Sequence, residues 1–397
     1  MFTDRISRIK PSATLEMTSK AAELKRANKP VYNMSVGEPD FSTPKHIQNA
    51  AIWAINNGHT KYTPGGGTLE LKEAISTKLY RDNNLSFDTK QIVVSCGGKH
   101  SLYNACQALF QKNDEVIIFK PYWVSFPDFV TVTGATPVFV NTNSSKQNEP
   151  DFDELIKKIN KNTKGIIINS PSNPSGGVWS DDAIMQLLDI VKNRPDIWIF
   201  SDECYEQLTY DIPFKSIATF APQLNNIITF QSCSKTYAMT GWRIGYLAGD
   251  INLVKAISKL QGQSTSCPNS IAQFAAMEAL SGDQKCVYEM KKIFHERRNL
   301  VLQELKKIPN VSCEVPNGAF YVFPNFKNYL NKKTQSGKLI KTSSDLSLYI
   351  LDQTGVVTVA GDSFGAPEHI RLSYATSNET ILKAVSLIGN TLKKIDF

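Results

Sequence analysis

Short apolar, β-branched runs alternate with helical patterns through the middle of the chain, between about Gln91 and Phe230. The runs are Gln91-IVVS, Glu115-VIIF, Gly165-IIIN, Ile197-WIF and Ile227-ITF. Between the third and fourth runs, Ser180 to Lys192 carries apolar residues at helical spacing behind a Ser-Asp-Asp start that suits a helix N-terminus. This alternation predicts a mostly parallel sheet covered by helices on both faces.

The pattern changes after about Lys291, where KKIFHERRNLVLQELKK predicts a long, exposed helix leading into a different unit. The segment before about Pro44 is rich in turn signals, and chain ends commonly meet at a protein surface. We therefore predict an α/β protein with a large domain over residues 45–290. Residues 1–44 and 291–397 are predicted to form a smaller α+β domain.

Composition and charge limit the class of protein. The 397 residues exceed what one hydrophobic core usually supports, which favours two domains. No stretch approaches the roughly 18 uninterrupted apolar residues of a membrane span, and the charged N-terminus (Asp4, Arg5, Arg8, Lys10) does not look like a secretory signal. We expect a soluble, cytoplasmic protein. The net charge of +7 is spread without a basic block, which argues against nucleic-acid binding and is compatible with anionic small molecules.

The cysteines argue against two further kinds of site. There are seven, an odd number, and they are scattered without a CxxC pair. This spacing favours reduced thiols over a disulfide framework or a zinc site. No metal site is expected.

Polar residues follow the predicted strands, at the sheet edge where ligands gather in parallel sheets. Cys96-Gly97-Gly98-Lys99-His100 opens a helical pattern and could present backbone N–H groups to a phosphate, although two glycines at such a junction are more often just a tight turn. His100 fits a structural role better. In Ser170-Pro-Ser-Asn173-Pro-Ser-Gly-Gly, Asn173 could donate through its amide, or the segment could be an ordinary turn.

The next two strand ends carry ionisable side chains. Ser201-Asp202-Glu203-Cys204-Tyr205 places a carboxylate and a phenol after the fourth run, although a surface acidic pair is the simpler explanation. Lys235 follows the fifth run, and a lysine behind a buried strand is unusual. Desolvation or nearby positive charge would make its amine a nucleophile toward carbonyls. Arg243 could supply that charge and grip a phosphate.

Together these residues match what a pyridoxal 5'-phosphate (PLP) enzyme needs. Such an enzyme requires a lysine for the Schiff base, a carboxylate that keeps the pyridine nitrogen protonated, and an anion cradle for the phosphate. The combination is far more specific than any one of its members.

With these motifs, the sequence closely resembles the class I aminotransferases of the aspartate aminotransferase fold (fold type I), and most of all their bacterial aspartate aminotransferase branch. The stretch from Ser232 through Lys235 and Arg243 to Gly245 agrees with the family's lysine-site pattern throughout. Further matching motifs are Gly37-Glu-Pro-Asp-Phe, Thr60-Lys-Tyr62-Thr-Pro, Cys96-Gly97-Gly98-Lys99, Pro121-Tyr-Trp123-Val-Ser, Asn173-Pro, Ser201-Asp202-Glu, Gly318-Ala-Phe-Tyr and Arg371-Leu-Ser-Tyr. Two departures, Ser175 for the usual threonine and Cys204 for an aliphatic residue, replace no side chain with an assigned role.

The resemblance implies roles for the residues around the cofactor. Lys235 carries PLP and moves the proton, Asp202 pairs with the pyridinium nitrogen, and Tyr205 with Asn173 hydrogen-bonds the phenolic oxygen. Trp123 stacks on the ring, beside the substrate. The remaining cofactor-binding residues are Gly97, Gly98, Lys99, Ser232 and Arg243, with Tyr62 reaching across from a second subunit. The resemblance thus implies a homodimer with shared active sites.

The resemblance also implies a substrate. Arg371 binds the α-carboxylate, helped by Gly37 and Asn173, while Lys99 reads the distal carboxylate with Thr14 near it. These positions favour transamination between L-aspartate and 2-oxoglutarate, giving oxaloacetate and L-glutamate. Prephenate or aromatic amino-acid transamination on the same scaffold is the alternative.

Two other classes fit the sequence less well. A non-catalytic regulator built on this fold would carry a nucleic-acid-binding module, and no basic helix-turn-helix pattern precedes residue 40. A nicotinamide-binding Rossmann enzyme would need GxGxxG spacing, which Cys96-Gly-Gly lacks.

Overall fold

The computed structural model describes residues 3–9 and 13–395, without the side chains of 13–18. Its strands are β1 (Tyr32–Asn33), β2 (Ile92–Ser95), β3 (Glu115–Phe119), β4 (Thr136–Val140), β5 (Thr142–Asn143), β6 (Glu149–Pro150), β7 (Thr163–Asn169), β8 (Trp198–Asp202), β9 (Ile227–Ser232), β10 (Gly245–Ala248), β11 (Tyr321–Val322), β12 (Lys332–Lys333), β13 (Leu339–Ile340), β14 (Val356–Val357), β15 (Val359–Ala360) and β16 (Ile370–Ser373). A seven-stranded sheet has the order β2-β10-β9-β8-β7-β3-β4. Only β10 runs against its neighbours in this sheet.

The helices cover this sheet and build the C-terminal part of the chain. They are α1 (Asp4–Ser7), α2 (Ala13–Arg26), α3 (Lys45–Asn56), α4 (Leu69–Asn83), α5 (Gly98–Leu109), α6 (Phe126–Thr131), α7 (Phe152–Lys158), α8 (Asp181–Val191), α9 (Cys233–Thr236), α10 (Ile251–Gly262), α11 (Ser270–Ser281), α12 (Lys285–Leu305), α13 (Ser343–Thr354) and α14 (Asn378–Leu392). The predicted crossover helix is α8, and its N-cap Ser180 Oγ accepts a hydrogen bond from the Ala183 N–H at 3.2 Å. The α/β prediction is confirmed.

The five apolar runs are the five strands that were predicted, because each run is buried on both faces of the sheet. Within β3, for example, Ile117 and Ile118 are both fully buried but belong to core clusters on opposite sides. The alternation of side chains along a strand explains why continuous apolar runs mark these strands. Strands β4 and β10 also belong to the sheet but were not predicted.

The helix predicted after Lys291 exists as part of α12, but it begins earlier, at Lys285, and it is not simply exposed. One face of α12, including Phe294, Val301 and Leu302, is buried in the core of the C-terminal part of the chain. The charged residues occupy the opposite face, and their density led to the prediction of an exposed helix.

The N-terminal segment packs onto the C-terminal part of the chain. Strand β1 pairs in parallel with β14, with Tyr32 opposite Val356. Met34 is fully buried in the same core cluster as Phe294 and Ile370. The domain boundaries at residues 44 and 290 stay a prediction.

None of the helices in the described ranges is long and apolar enough to cross a membrane.

Candidate active site

The carboxyl ends of β7, β8 and β9 bring the predicted residues to one edge of the sheet. Asn169, the last residue of β7, lies opposite Asp202, the last residue of β8, in parallel register. Strand β9 ends at Ser232, and Lys235 follows within the one-turn helix α9. Because the three strands are parallel neighbours, residues far apart in sequence meet at this edge.

Lys235 is half-buried and donates a hydrogen bond through Nζ to the carbonyl oxygen of Gly37. Burial lowers the pKa of its amine from the ordinary value, and the positive charges of Arg243 and Arg371 act in the same direction. The negative charge of Glu38 partly opposes them. A lysine in this setting releases its proton more readily than a surface lysine and is a better nucleophile.

Asp202 is buried, and burial raises the pKa of its carboxyl group to about 7. The carboxylate accepts a hydrogen bond from the backbone N–H of Cys204 at 3.2 Å, and the positive charge of Lys235 also favours its ionised form. These two contacts lower the pKa of Asp202 by less than burial raises it. A cationic N–H facing the carboxylate would stabilise the ionised form.

Asn169, which the sequence did not single out, orders this edge. Its Nδ2 donates to the backbone oxygen of Asp202 at 3.1 Å, and its Oδ1 accepts from the backbone N–H of Asn173 at 2.7 Å. One side chain therefore links the end of β8 to the Asn173 loop. The sequence signal available for this role was a polar residue, Asn169, at the end of the otherwise apolar run Gly165-IIIN.

Arg371 on β16 is almost fully buried beside Asn173. Its Nη1 donates to Asn173 Oδ1 at 2.9 Å and its Nη2 donates to the Ser35 carbonyl oxygen at 2.7 Å. Its Nε is buried and has no hydrogen-bond partner within the described part of the chain. A guanidinium group with an unused buried N–H can accept a carboxylate ligand.

Gly97, Gly98, Ser232 and Arg243 lie against one another at the start of α5. Gly97 has φ +92°, and a Cβ atom on it would collide with the Arg243 guanidinium group. A Cβ atom on Gly98 would lie 3.4 Å from Ser232 Cβ. Glycine is therefore required at residue 97 by both the backbone angle and the close approach. The arrangement combines the positive end of a helix with a hydroxyl and a guanidinium group, which suits a phosphate.

Lys99 and Trp123 are close together, as both assignments to the substrate side require. Lys99 Nζ lies 5.0 Å from the centroid of the Trp123 ring. Trp123 packs edge-on against Phe126 and Phe129 at centroid distances of 5.4 and 5.8 Å. Burial and the charge of Arg243 lower the pKa of Lys99. The charge of Arg243, which lies against Gly97, therefore also acts on Lys99.

One predicted residue, Tyr62, is not brought to the site within this chain. Tyr62 is 88% exposed, as a residue that reaches a second subunit would be in one isolated chain. The side chain of Thr14 is outside the described part, so its assignment stays a prediction. His100 accepts a hydrogen bond through Nδ1 from the Cys96 N–H at 3.3 Å, which fits a structural role.

Residues 29–388 match the sequence model of the family described as aminotransferase class I and II. The chain belongs to this family. The match covers both the sheet residues and the C-terminal part that carries Arg371, and of the predicted site residues only Thr14 lies outside it.

The relatives of this aminotransferase agree with the family match. It is 45% identical to a probable aspartate/prephenate aminotransferase of Rhizobium leguminosarum bv. phaseoli, over 96% of each chain. The crystal structure of an aspartate aminotransferase from Rhizobium meliloti superposes with a TM-score of 0.96 at 40% identity, covering 100% of both chains. The Thermus thermophilus aspartate aminotransferase with maleate gives 0.92 at 35% identity, covering 98% of this chain and 99% of that one.

The residues of this aminotransferase fit PLP, the cofactor that the family implies as a general property. The buried carboxyl of Asp202 suits a pyridinium nitrogen, because burial disfavours the carboxylate and a facing cation would stabilise it. The close approach of Gly97 to Arg243 suits a phosphate, and the half-buried amine of Lys235 suits a carbonyl carbon.

A buried polar network, also missed from the sequence, adjoins the candidate site. Lys78 Nζ contacts Glu206 and donates to Asn83 Oδ1 at 2.8 Å and Gln231 Oε1 at 2.7 Å. Gln231 in turn donates to Glu203 Oε2 at 3.1 Å. Glu203 and Gln231 are the chain neighbours of Asp202 and Ser232, so the network supports the strand ends that carry the site.

Proposed function

We propose that this protein is a PLP-dependent aminotransferase that converts L-aspartate and 2-oxoglutarate into oxaloacetate and L-glutamate. The observation that carries the proposal is the approach of three groups to one another beside the carboxyl ends of β7, β8 and β9, where the charge of Lys235 acts on Asp202 and the charge of Arg371 acts on Lys235. The three groups are the half-buried amine of Lys235, the buried carboxyl of Asp202 and the buried, partly unused guanidinium group of Arg371.

Cofactor binding is divided among the groups described above. Lys235 would hold PLP covalently, and Asp202 would face its ring nitrogen. Tyr205 and Asn173 would donate to its phenolic oxygen, with Trp123 against the ring. The cradle of Gly97, Gly98, Ser232 and Arg243 would bind its phosphate. When bound, PLP supplies an electron-withdrawing ring system that stabilises negative charge at the substrate Cα.

Lys235 is the acid–base group in this proposal. Once the substrate amine replaces it, the free Nζ would take the proton from the substrate Cα and deliver it to the C4' carbon of the cofactor, and it would carry a proton in the opposite direction during the second half of the reaction. Its lowered pKa keeps a larger fraction of the amine unprotonated near neutral pH. Such general acid–base catalysis is typically worth about 10² to 10⁴-fold.

Two cations would select the substrate. Arg371 would bind the α-carboxylate through its unused N–H groups, at a position fixed by Asn173 and Ser35. Lys99, beside Trp123, would bind the distal carboxylate of aspartate or 2-oxoglutarate. The Thermus thermophilus relative was solved with maleate, a dicarboxylate, which supports an acidic substrate class.

A second subunit would complete the site. Ile52, Trp53 and Ile55 on α3 are each about half exposed, at 51 to 52%, and Tyr62 follows them in the chain. Exposed apolar side chains grouped in this way favour a protein interface. We propose that the chain forms a homodimer in which Tyr62 of each subunit reaches the other's phosphate cradle.

Prephenate as amino acceptor is the second candidate, favoured by the name of the Rhizobium leguminosarum relative. Prephenate also carries two carboxylates, so Arg371 and Lys99 would serve both acceptors. The two activities are therefore compatible on one site.

The half-reaction tests the proposed function. L-Aspartate added to the purified, PLP-loaded protein without any acceptor should release about one oxaloacetate per subunit and convert the visible spectrum to that of the amine form of the cofactor. Later addition of 2-oxoglutarate should restore the spectrum and yield L-glutamate, because the amino group is held on the enzyme between the halves. Oxaloacetate released only when 2-oxoglutarate is already present would contradict the proposal.

Lys99→Ala should weaken the use of acidic substrates selectively. Loss of one charge-assisted hydrogen bond, worth about 1.5–3 kcal/mol, corresponds to roughly a 10 to 150-fold higher KM for aspartate and 2-oxoglutarate. Steady-state kinetics with aspartate and with phenylalanine measure the difference. Lys112→Ala, an exposed lysine just past the other end of α5, is the control and should change neither. An equal loss for both amino acids in Lys99→Ala would show that Lys99 does not read the distal carboxylate.

A further inference from the structure

Tyr321 on β11 touches both the proposed cofactor side and the proposed carboxylate side of the site. It is fully buried, at 0% exposure, and pairs with Ser373 of β16, the strand that carries Arg371. Its hydroxyl oxygen lies 2.8 Å from the hydroxyl oxygen of Tyr205. The guanidinium carbon of Arg371 lies 4.5 Å from its ring centroid.

The ring of Tyr321 limits the orientation of the Arg371 guanidinium group. The ring of Phe364 also lies near that group, 5.2 Å from the guanidinium carbon. Hydrogen bonds to Asn173 and Ser35 fix two nitrogens, and the aromatic faces restrict the tilt of the plane. A cation–π contact between desolvated groups is stronger than one at the surface. The unused Nε of Arg371 is therefore presented in one direction.

The hydrogen bond between the hydroxyl groups of Tyr205 and Tyr321 would have a defined donor once the cofactor is bound. Each phenol has a single hydrogen to donate. If Tyr205 donates its hydrogen to the phenolic oxygen of the cofactor, the 2.8 Å contact requires Tyr321 to donate to Tyr205. A donor whose own oxygen accepts a hydrogen bond is polarised and donates more strongly.

Gly37 adds a third contact. A Cβ atom on Gly37 would lie 3.3 Å from the Tyr321 hydroxyl oxygen, and the carbonyl oxygen of Gly37 accepts from Lys235 Nζ. The phenol therefore packs against the backbone that holds the catalytic lysine. Both of its neighbours on this side, Tyr205 and Gly37, belong to the proposed site.

We propose that Tyr321 is a positioning residue with two separable parts: its hydroxyl donates to Tyr205 and strengthens the hydrogen bond from Tyr205 to the cofactor, and its ring orients Arg371. The inference rests on the proposed function. It assigns a role that the sequence motif Gly318-Ala-Phe-Tyr alone does not reveal.

The variant Tyr321→Phe tests the hydroxyl. Hydrogen bonds to the phenolic oxygen of the cofactor favour its negative charge and so favour loss of the neighbouring imine proton. Tyr321→Phe should therefore raise the pH midpoint of the PLP-loaded protein's visible absorbance by about 0.5 to 1 unit, the effect expected from one neutral hydrogen bond. It should lower kcat with less than about a twofold change in KM, because the ring stays in place.

The variant Tyr321→Leu tests the ring. It should shift the absorbance midpoint as Tyr321→Phe does and, in addition, raise KM for every amino-acid substrate by about 5 to 10-fold, because Arg371 loses the nearer of its two aromatic neighbours. Binding of maleate to the loaded protein, followed by the absorbance change, gives the same comparison without turnover.

Tyr329→Phe is the matched control. Tyr329 is also buried in the C-terminal part, but its hydroxyl donates to the Pro309 carbonyl oxygen at 2.6 Å, away from the site. Its removal should leave the midpoint unchanged. An unshifted midpoint in Tyr321→Phe, or the same shift in Tyr329→Phe, would overturn the hydroxyl role, and equal KM values in Tyr321→Phe and Tyr321→Leu would overturn the ring role. A parent protein with no titrating visible band would instead refute the proposed function.

Discussion

Lys235→Ala should lower transamination by about 10⁴-fold or more, the upper end of what general acid–base catalysis contributes. The same amine both holds the cofactor and moves the Cα proton in our proposal, so its removal affects two steps. Rates of oxaloacetate formation in single-turnover experiments measure the loss. The loaded variant should also lose the pH-dependent visible absorbance of the parent, since no lysine would remain bonded to the cofactor.

Lys235→Arg separates the amine from its charge. Arginine keeps a positive charge but is not deprotonated in proteins, so it can act neither as base nor as nucleophile. We expect it to be as inactive as Lys235→Ala. Lys192→Ala, at an exposed ion pair with Asp189, is the control and should keep full activity. Turnover of Lys235→Arg within tenfold of the parent would exclude Lys235 as the acid–base group.

Asp202→Asn should cut turnover by about 10² to 10⁴-fold while some cofactor stays bound. This range corresponds to the roughly 3–5 kcal/mol lost when one partner of a buried charge pair is removed. An amide cannot hold the ring nitrogen in its protonated form, so negative charge at the substrate Cα is less well stabilised. Single-turnover rates and the stoichiometry of bound PLP together measure the effect.

The pH dependence of cofactor binding gives a second measure of Asp202. In the cofactor-free protein, burial raises the pKa of this carboxyl to about 7, so it is mostly protonated below pH 7 and mostly ionised above it. Pairing with a ring N–H cation requires the ionised form. PLP affinity in the parent should therefore fall as the pH decreases through 7, relative to Asp202→Asn, which lacks this ionisation.

Glu203→Gln is the matched control for Asp202. Glu203 is the next residue, is equally buried and also has its pKa raised to about 7 by burial. Its carboxylate, however, accepts from Ser201, Ser216 and Gln231 rather than facing the proposed cofactor site. Glu203→Gln should keep turnover within a few-fold of the parent. Similar losses in both variants would mean that Asp202 acts through general support of the strand end.

The sheet was predictable because its central strands are buried on both faces and appear as uninterrupted apolar runs. Strand β10 was not predicted, since Gly245 to Ala248 is short and directly follows the lysine motif. Its position depends on pairing with β9 and β2. Strand β9 ends 13 residues before β10 begins (245 − 232), and β2 ends 150 residues before it (245 − 95). Local pattern carries no information on such pairing.

The site residues also divide into those that the local sequence pattern marks and those whose positions depend on distant contacts. The placement of Asp202, Asn173 and Lys235 at this edge could be predicted because each lies at or just after the end of an apolar run. Tyr321 and Asn169 could not be given roles, because their functions depend on partners that only folding brings near. Tyr321 meets Tyr205 across 116 positions of sequence, and an aromatic residue in a short apolar motif ordinarily indicates core packing.

Mapping the lysine that carries the cofactor tests whether Lys235 holds PLP. The PLP-loaded protein should be reduced with borohydride, digested and analysed by mass spectrometry. We expect a single stoichiometric adduct, on the peptide containing Lys235, with loss of the visible band and of activity in parallel. An adduct on another lysine, or bound PLP that borohydride does not fix to the protein, would contradict this expectation.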